Sequence, residues 1–138
     1  MHGNLSPRCI LFRDDKCPVL ADLGIPVSPT NKDDFLATDH CYYANPEQAQ
    51  DLSADARSDI YSAGTMFYEM LTGEKAFQGS RPNTIIFQHL HAPVPDLPEA
   101  HASFQEFLER CMAKSAEQRF AGATEAMAAL GPNTSFYL

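Results

Sequence analysis

The sequence predicts a mainly α-helical domain with a small β-hairpin near its N-terminus. One long segment near the middle of the chain, and shorter segments after it, repeat apolar residues at helical spacing. Two short apolar runs near the N-terminus are separated by a polar turn. The length of 138 residues suits one domain. We expect that domain to cover residues 1–131, and residues 132–138 to form a C-terminal tail.

The hairpin is predicted from the runs CILF (9–12) and CPVLAD (17–22), which flank the polar turn RDDK. Residues 25–40 follow. They contain two prolines and several charges without apolar periodicity, which is typical of an irregular loop. A loop of this length inside a small domain is often functional.

The longest predicted helix lies within residues 53–73 and should form the buried axis of the fold. A short helical turn over 45–50 precedes it, with Pro46 at a favourable first position. Gly73 provides a stop signal at the end of the long helix. The apolar stripe of this helix is formed by Ile60, Ala63, Gly64, Phe67, Tyr68 and Leu71.

Three further helices are predicted in the second half of the chain. The first covers about residues 82–91 and is followed by a loop broken by prolines. The second lies within 102–113, and the third within 122–130, which ends at a Gly-Pro pair. The second carries an apolar stripe that should face the core, made of Phe104, Phe107, Leu108, Cys111 and Met112.

The composition excludes several classes of function. Acidic residues outnumber basic ones by 18 to 10, giving a net charge of -8, which disfavours nucleic acids and anionic membranes as partners. No apolar run reaches the roughly 20 residues of a membrane span, and no secretion signal pattern is present. Four cysteines at spacings unlike zinc sites indicate free thiols, so we expect a cytoplasmic protein.

The order of these segments resembles the C-terminal lobe of a Hanks-type, bacterial eukaryotic-like Ser/Thr protein kinase. HGNLSPRCILF (2–12) is similar to the catalytic loop, and ADLG (21–24) to the Asp-Phe-Gly stretch. YYANPEQA (42–49) is similar to the end of the activation segment, and residues 55–77 are similar to the central helix and its exit. EQRF (117–120), with the last helix, is similar to the Arg-bearing C-terminal end of the lobe. The resemblance covers about residues 2–130.

The resemblance implies that the N-terminal lobe is absent from this sequence. That lobe carries the Gly-rich loop, the lysine on its strand and the glutamate partner of that lysine, and the adenine pocket lies between the two lobes. The helix that precedes the catalytic loop in the family is also absent. We therefore expect neither ATP nor Mg²⁺ as a cofactor.

Several positions that serve catalysis in the family carry other residues here. Asn4 stands at the proton-accepting Asp, and a carboxamide is not a base near neutral pH. Ser6 stands at the loop Lys, and Cys9 at the metal-binding Asn. His40 occupies the position of a Thr that helps to shape the substrate loop in the family. Asp22 matches the family's metal ligand, and it is either a weak metal site or a hydrogen-bonded turn residue.

The residues that hold the scaffold in the family are retained. The resemblance implies that Asp59 accepts hydrogen bonds from the backbone of the loop that begins at His2. It also implies that Glu47 and Arg119 form a buried ion pair. Two further residues match the family's structural positions: Tyr43 and Pro46. The loop is therefore interpreted as retained for its shape.

Three functions are compatible with this pattern. The first is a catalytically inactive, pseudokinase-like module that regulates or binds other proteins. The second is the C-terminal fragment of a longer kinase-like protein that binds ATP and transfers phosphate. The third is an active kinase of altered mechanism. In this sequence, Ser28, Thr30 and Thr38 are either phosphate acceptors or solvated loop residues.

A module of the first kind needs a surface for its partner. The resemblance implies docking surfaces over residues 84–91, with Ile85, Ile86 and Phe87, and over 26–43, with His40. The absent lobe and the absent preceding helix should also leave apolar surface open. We therefore expect a protein partner or self-association through that surface.

Overall fold

A computed structural model describes residues 1–14, 16–21 and 39–131, and it confirms the predicted mainly α-helical fold with one small β-hairpin. The tail predicted at 132–138 lies outside these residues. The described strands are β1 (Ile10–Phe12) and β2 (Pro18–Leu20). The described α-helices are α1 (Pro46–Ala49), α2 (Ala56–Thr72), α3 (Pro82–His91), α4 (Gln105–Cys111) and α5 (Ala123–Leu130). Short 3₁₀ turns cover Pro7–Cys9, Asp39–Tyr43, Glu99–Phe104 and Ala116–Gln118.

The hairpin forms where the two apolar runs predicted it. β1 and β2 pair antiparallel, with Ile10 opposite Leu20 and Leu11 opposite Val19. Most of its side chains are exposed, including Phe12 at 64%. A two-stranded ribbon is marginally stable by itself in water, so its position depends on the residues that flank it.

Helix α2 is the axis of the fold, and both of its ends are capped. The Asp55 side chain accepts from the Arg57 backbone N–H, and the Ser58 hydroxyl accepts from the Asp55 backbone N–H. At the other end Gly73 adopts a left-handed conformation with φ of 75°, which glycine tolerates best. These signals set the helix length close to the one that the sequence predicted.

The core lies between α2 and the helices packed around it. The second half of the stripe predicted on α4 is fully buried there, with Leu108 and Met112 at 0% exposure. Tyr61 on α2 is also at 0% exposure, although the predicted stripe of α2 did not include it. Its hydroxyl finds a buried partner in His89, and this contact lets a polar aromatic side chain occupy the core.

Among the residues that the structure describes, no helix is long and apolar enough to cross a membrane.

Candidate functional site

The loop that begins at His2 is held by the carboxylate of Asp59, at the start of α2. One oxygen accepts the His2 backbone N–H at 2.5 Å, and the other accepts that of Gly3 at 2.8 Å. Gly3 has φ of 83°, a conformation that few other residues adopt without strain. Both bonds are charge-assisted, so Asp59 sets the loop's conformation.

The His2 side chain ties the same loop to the hairpin. Its Nδ1 accepts the Asn4 backbone N–H at 3.2 Å, and its Nε2 lies 2.8 Å from the Ala21 carbonyl oxygen. Because the amide can only donate and the carbonyl can only accept, the proton of the neutral ring is on Nε2. The Gln48 side chain donates to the Gly3 carbonyl oxygen at 2.6 Å. The loop is thus braced from α1, α2 and the hairpin.

Ser6 and Cys9 turn towards each other inside this loop. The Ser6 hydroxyl lies 3.6 Å from the Cys9 sulfur, and the Cys9 thiol donates to the Asn4 carbonyl oxygen at 3.3 Å. Their exposed fractions are only 4% each. Both side chains therefore complete the loop's internal hydrogen bonding.

The predicted metal candidate Asp22 lies outside the described residues, as do Ser28, Thr30 and Thr38. Within residues 1–14, 16–21 and 39–131, no group of three or more His, Cys, Asp or Glu side chains could hold a metal ion. Residues 2–9 of the loop contribute no carboxylate, and the buried thiol of Cys9 is a soft ligand that suits Mg²⁺ poorly.

Glu47 and Arg119 form a buried, two-pronged ion pair. The guanidinium donates to the two carboxylate oxygens at 2.7 and 3.0 Å. Its remaining N–H groups donate to the backbone carbonyls of Arg57, Ala113 and Lys114. The Arg119 side chain is 0% exposed and that of Glu47 is 13% exposed. The pair links α1 to the segment before α5, and through the Arg57 carbonyl it is also bonded to the first turn of α2.

A second cluster joins Tyr43, Glu69 and Lys75, and it was not anticipated as a unit. The Tyr43 hydroxyl donates to Glu69 at 2.6 Å, and Lys75 contacts both Tyr43 and Glu69. Burial acts to raise the pKa of Glu69, but hydrogen bonds from Lys75 and Tyr43 lower it overall. Burial, followed by the hydrogen bond to Glu69, raises the pKa of Tyr43. Lys75 lies just after the end of α2 and is close to Glu69 in sequence, whereas only the fold brings Tyr43 to this pair.

A cleft of about 220 Å³ lies beside the loop, lined in part by Ser6, His40 and this cluster. Arg8 lies on its wall and pairs with Asp39 at 3.1 Å. Lys75 pairs with Glu69 on the same cleft at 2.7 Å. Because each of these cations already has an anionic partner, the described residues of the lining offer no unbalanced positive charge suited to phosphate.

The three residues expected to dock a partner on α3 have different environments. Ile85 is 2% exposed and belongs to the hydrophobic core, so that expectation needs correction. Ile86 is half-buried against the core. Phe87 is 62% exposed, with its ring 4.5 Å from that of His91. Helical periodicity places Ile85 and Phe87 on different faces, and the fold buries the face of Ile85.

The fold and the braced loop agree with the comparison to known families. The protein kinase domain family matches residues 1–130. The chain belongs to the protein kinase family. This kinase-family chain therefore keeps the family's order of loop, central helix and closing segment over nearly its whole length.

Curated relatives of this kinase-family chain include serine/threonine-protein kinase PknL of Mycobacterium tuberculosis. It is 36% identical over 135 residues, which cover 89% of this chain and 33% of the relative. A probable serine/threonine-protein kinase of Clostridium acetobutylicum is 32% identical over 136 residues, covering 91% of this chain and 20% of the relative. Serine/threonine-protein kinase PknB of Mycobacterium leprae is 33% identical over 141 residues, which cover 94% of this chain and 22% of the relative. The chain thus spans between a fifth and a third of these relatives' lengths.

Proposed function

We propose that this kinase-family chain is a catalytically inactive, pseudokinase-like module that acts through contacts with other proteins. One observation carries the proposal: the loop at His2 keeps its bracing by Asp59, while Asn4 occupies the position of the family's proton acceptor. A carboxamide does not take a proton from a substrate hydroxyl near neutral pH. A loop that is held in shape without its base suits binding better than phosphate transfer.

The environments of Ser6 and Cys9 support the same conclusion. A lysine at the position of Ser6 would place a cation near a transferred phosphate, whereas the Ser6 hydroxyl is buried against Cys9. The Cys9 thiol is a soft ligand that suits Mg²⁺ poorly, and it already donates to the loop. Removing one such electrostatic group costs about two to three orders of magnitude in rate. The proposed module accordingly uses neither ATP nor Mg²⁺.

Two measurements test the inactivity. Radiolabelled ATP with a generic basic protein substrate should give no transfer above a blank without the chain. Thermal unfolding with excess Mg-ATP should show no shift, whereas a ligand at about 100 times its dissociation constant stabilises a protein by about 2.7 kcal/mol. Transfer that an Asp22→Ala substitution abolishes would overturn the proposal.

A second candidate is that the chain forms the C-terminal part of a longer kinase-like protein that binds ATP and transfers phosphate. The observation in its favour is that the relatives are named as kinases and extend well beyond the matched region. Reading the coding sequence upstream of residue 1 for an in-frame Gly-rich loop distinguishes the two. Such a loop, together with measured transfer by the longer product, would favour this candidate.

The proposed mode of action is binding to a protein partner or self-association, in the cytoplasm and without nucleic acid. Three of the cysteines, Cys9, Cys41 and Cys111, are buried free thiols, which is compatible with a reducing compartment. The net charge of -8 supports a protein partner over a polyanion. Sedimentation of the 138-residue chain, alone and with candidate partners, tests the association.

A further inference from the structure

The amine of Lys114 is held between the end of α3 and two aromatic rings. The side chain follows α4 and reaches the last turn of α3, where Nζ donates to the His89 carbonyl oxygen at 2.8 Å and to that of Gln88 at 3.4 Å. The ring centroids of Phe77 and Tyr61 lie 4.8 and 5.7 Å from Nζ. Lys114 thus joins the C-terminal end of α3 to the core, where a helix favours a positive charge.

Among the described residues, no carboxylate lies within ion-pair distance of this amine. The titratable groups that face it are Tyr61 from α2, His89 from α3 and Arg119 from the segment before α5, and Arg119 is itself paired with Glu47 of α1. Burial, followed by the positive charge of Arg119, lowers the pKa of Lys114 to about 8. A large share of the amine is therefore uncharged and nucleophilic near that pH.

Lys75 provides a comparison within the same chain. Both lysines are half-buried, but Nζ of Lys75 lies 2.7 Å from a carboxylate oxygen of Glu69. Burial acts to lower the pKa of Lys75, whereas hydrogen bonds with Glu69 and Tyr43 raise it overall. A protonated amine has no lone pair to offer, so Lys75 is a poor nucleophile at the pH where Lys114 is a good one.

We propose that Lys114 is a site of N-acylation by small activated acyl donors of the acyl phosphate class. The inference goes beyond the proposed function and does not depend on it. The Nζ lone pair attacks the acyl carbonyl carbon, so that a C–N bond forms and the C–O bond to phosphate breaks. Inorganic phosphate leaves with the electron pair of that bond, and the nitrogen gives one proton to water. Because the side chain is half-buried, a small donor reaches the amine more readily than a bulky one.

Acylation would remove the charge that holds the end of α3. An N-acyl lysine is neutral and has one N–H group where the ammonium has three, so the Gln88 and His89 carbonyls and the Tyr61 hydroxyl lose donors. The attraction of the cation to the neighbouring rings is lost as well. We therefore expect the last turn of α3 to open more often after acylation.

Incubation of the 138-residue chain with acetyl phosphate, followed by peptide mass spectrometry, tests the site. We expect Lys114 to be acetylated about tenfold faster than Lys75 and the exposed Lys16 at about pH 8, where an ordinary lysine is almost wholly protonated. The rate at Lys114 should level off above about pH 8, while that at Lys75 keeps rising. In concentrated urea the preference should disappear. Equal rates at the three lysines of the folded chain would overturn the proposal.

Glu69→Gln is the matched variant for the cause of the difference. It removes the carboxylate partner of Lys75 and leaves the contacts of Lys114 in place. Acetylation of Lys75 should become several times faster, and that of Lys114 should not change. An unchanged rate at Lys75 would show that the missing carboxylate does not govern the reactivity of these amines, and it would count against the proposal.

Hydrogen exchange measures the consequence for α3. In the chain acetylated at Lys114, the backbone amides of the last turn of α3 should exchange about tenfold faster than in the untreated chain. Lys114→Arg keeps the charge and accepts no acetyl group, so the same treatment should leave its exchange unchanged. Circular dichroism melts confirm that the variants fold. Equal acceleration in Lys114→Arg would show that acetylation elsewhere opens the helix, and it would contradict the assignment to Lys114.

Discussion

At the scale of single residues, Arg119 shows how a buried charge is accommodated in this chain. Its five N–H groups all have acceptors: two carboxylate oxygens of Glu47 and three backbone carbonyls. A guanidinium that is 0% exposed is tolerated only when it is fully paired in this way. The sequence resemblance implied the pair, but the fold supplies the three carbonyl acceptors, from Arg57 in α2 and from Ala113 and Lys114 after α4.

Replacing Glu47 with alanine should therefore destabilise the fold by about 3–5 kcal/mol, because the charge of Arg119 would remain buried without its partner. Urea unfolding followed by circular dichroism measures the change. Arg8→Ala is the matched control, since it breaks an ion pair whose side chains are 72% and 64% exposed. That variant should change the free energy of unfolding by less than about 1 kcal/mol. Equal effects of the two variants would contradict this interpretation.

His89 gives the fold a dependence on pH. The ring is 0% exposed, with its Nδ1 3.0 Å from the Tyr61 hydroxyl. Burial, reinforced by the positive charge of Lys114, lowers the pKa of His89 from 6.5 to about 4. The unfolded chain therefore binds the proton more readily than the folded chain, and stability falls as the pH drops from about 6.5 towards 4. The full effect is about 3 kcal/mol.

The test is to measure the free energy of unfolding at about pH 7, 6 and 5 for the unmodified chain and for His89→Gln. The decline below pH 6.5 should be smaller in the variant. His91→Gln is the control: it removes a histidine two residues away that is exposed, so the decline should persist. An unchanged pH dependence in His89→Gln would show that other groups cause the decline.

At the scale of elements, the contact between α2 and the end of α4 depends on Gly64. A Cβ atom at this position would lie 2.7 Å from Met112 Cγ and 2.9 Å from Cys111 Cβ. Both distances are shorter than van der Waals contact, so α4 would have to move away. The sequence placed Gly64 on the predicted apolar stripe of α2, although it could not say which helix would approach there.

Gly64→Ala should destabilise the fold by about 1–3 kcal/mol, even though alanine favours helix formation by about 1 kcal/mol relative to glycine. Thermal unfolding provides the measurement. Gly122→Ala serves as the control, because no atom lies within 4 Å of a Cβ built there and its backbone is extended. That change should cost less than about 1 kcal/mol, because it only replaces a glycine N-cap of α5 by a poorer one. A stabilised Gly64→Ala would mean that the helices adjust without cost.

At the scale of the whole molecule, the described residues combine a braced loop with exposed apolar surface on a groove along α2 and on the hairpin. The structural contacts of the family are present around Asp59 and Arg119. The groove along α2 and the exposed faces of the hairpin, including Leu11 at 56%, lie open in this chain. The contacts that hold the fold and the exposed apolar surface thus lie in different parts of the described residues.

If several lost groups together account for the proposed inactivity, restoring one should not restore transfer. Asn4→Asp should therefore give no phosphotransfer above the blank, because Ser6 and Cys9 remain buried against each other. The radiolabel assay, with an active kinase as the positive control, measures this. Clear transfer by Asn4→Asp would show that Asn4 alone silences the chain and would contradict the proposal.

The sequence by itself determined the elements and most of their bounds. Pro46 and Gly73 act on residues close to them in the chain, and apolar periodicity locates the long helices, although it did not include the buried Tyr61 of α2. Such signals are local, so the α-helices and the hairpin could be predicted without coordinates. The Glu47 and Arg119 pair could also be predicted, but only through the family resemblance.

The tertiary structure alone decided which side chains meet across long separations. It brought Tyr43 to Glu69 and Lys75, and it also buried Ile85 while leaving Phe87 exposed. It also assembled the apolar groove from the hairpin, α2, α4 and α5. These contacts depend on how helices pack after they form, and helical spacing specifies a face without specifying what will cover it.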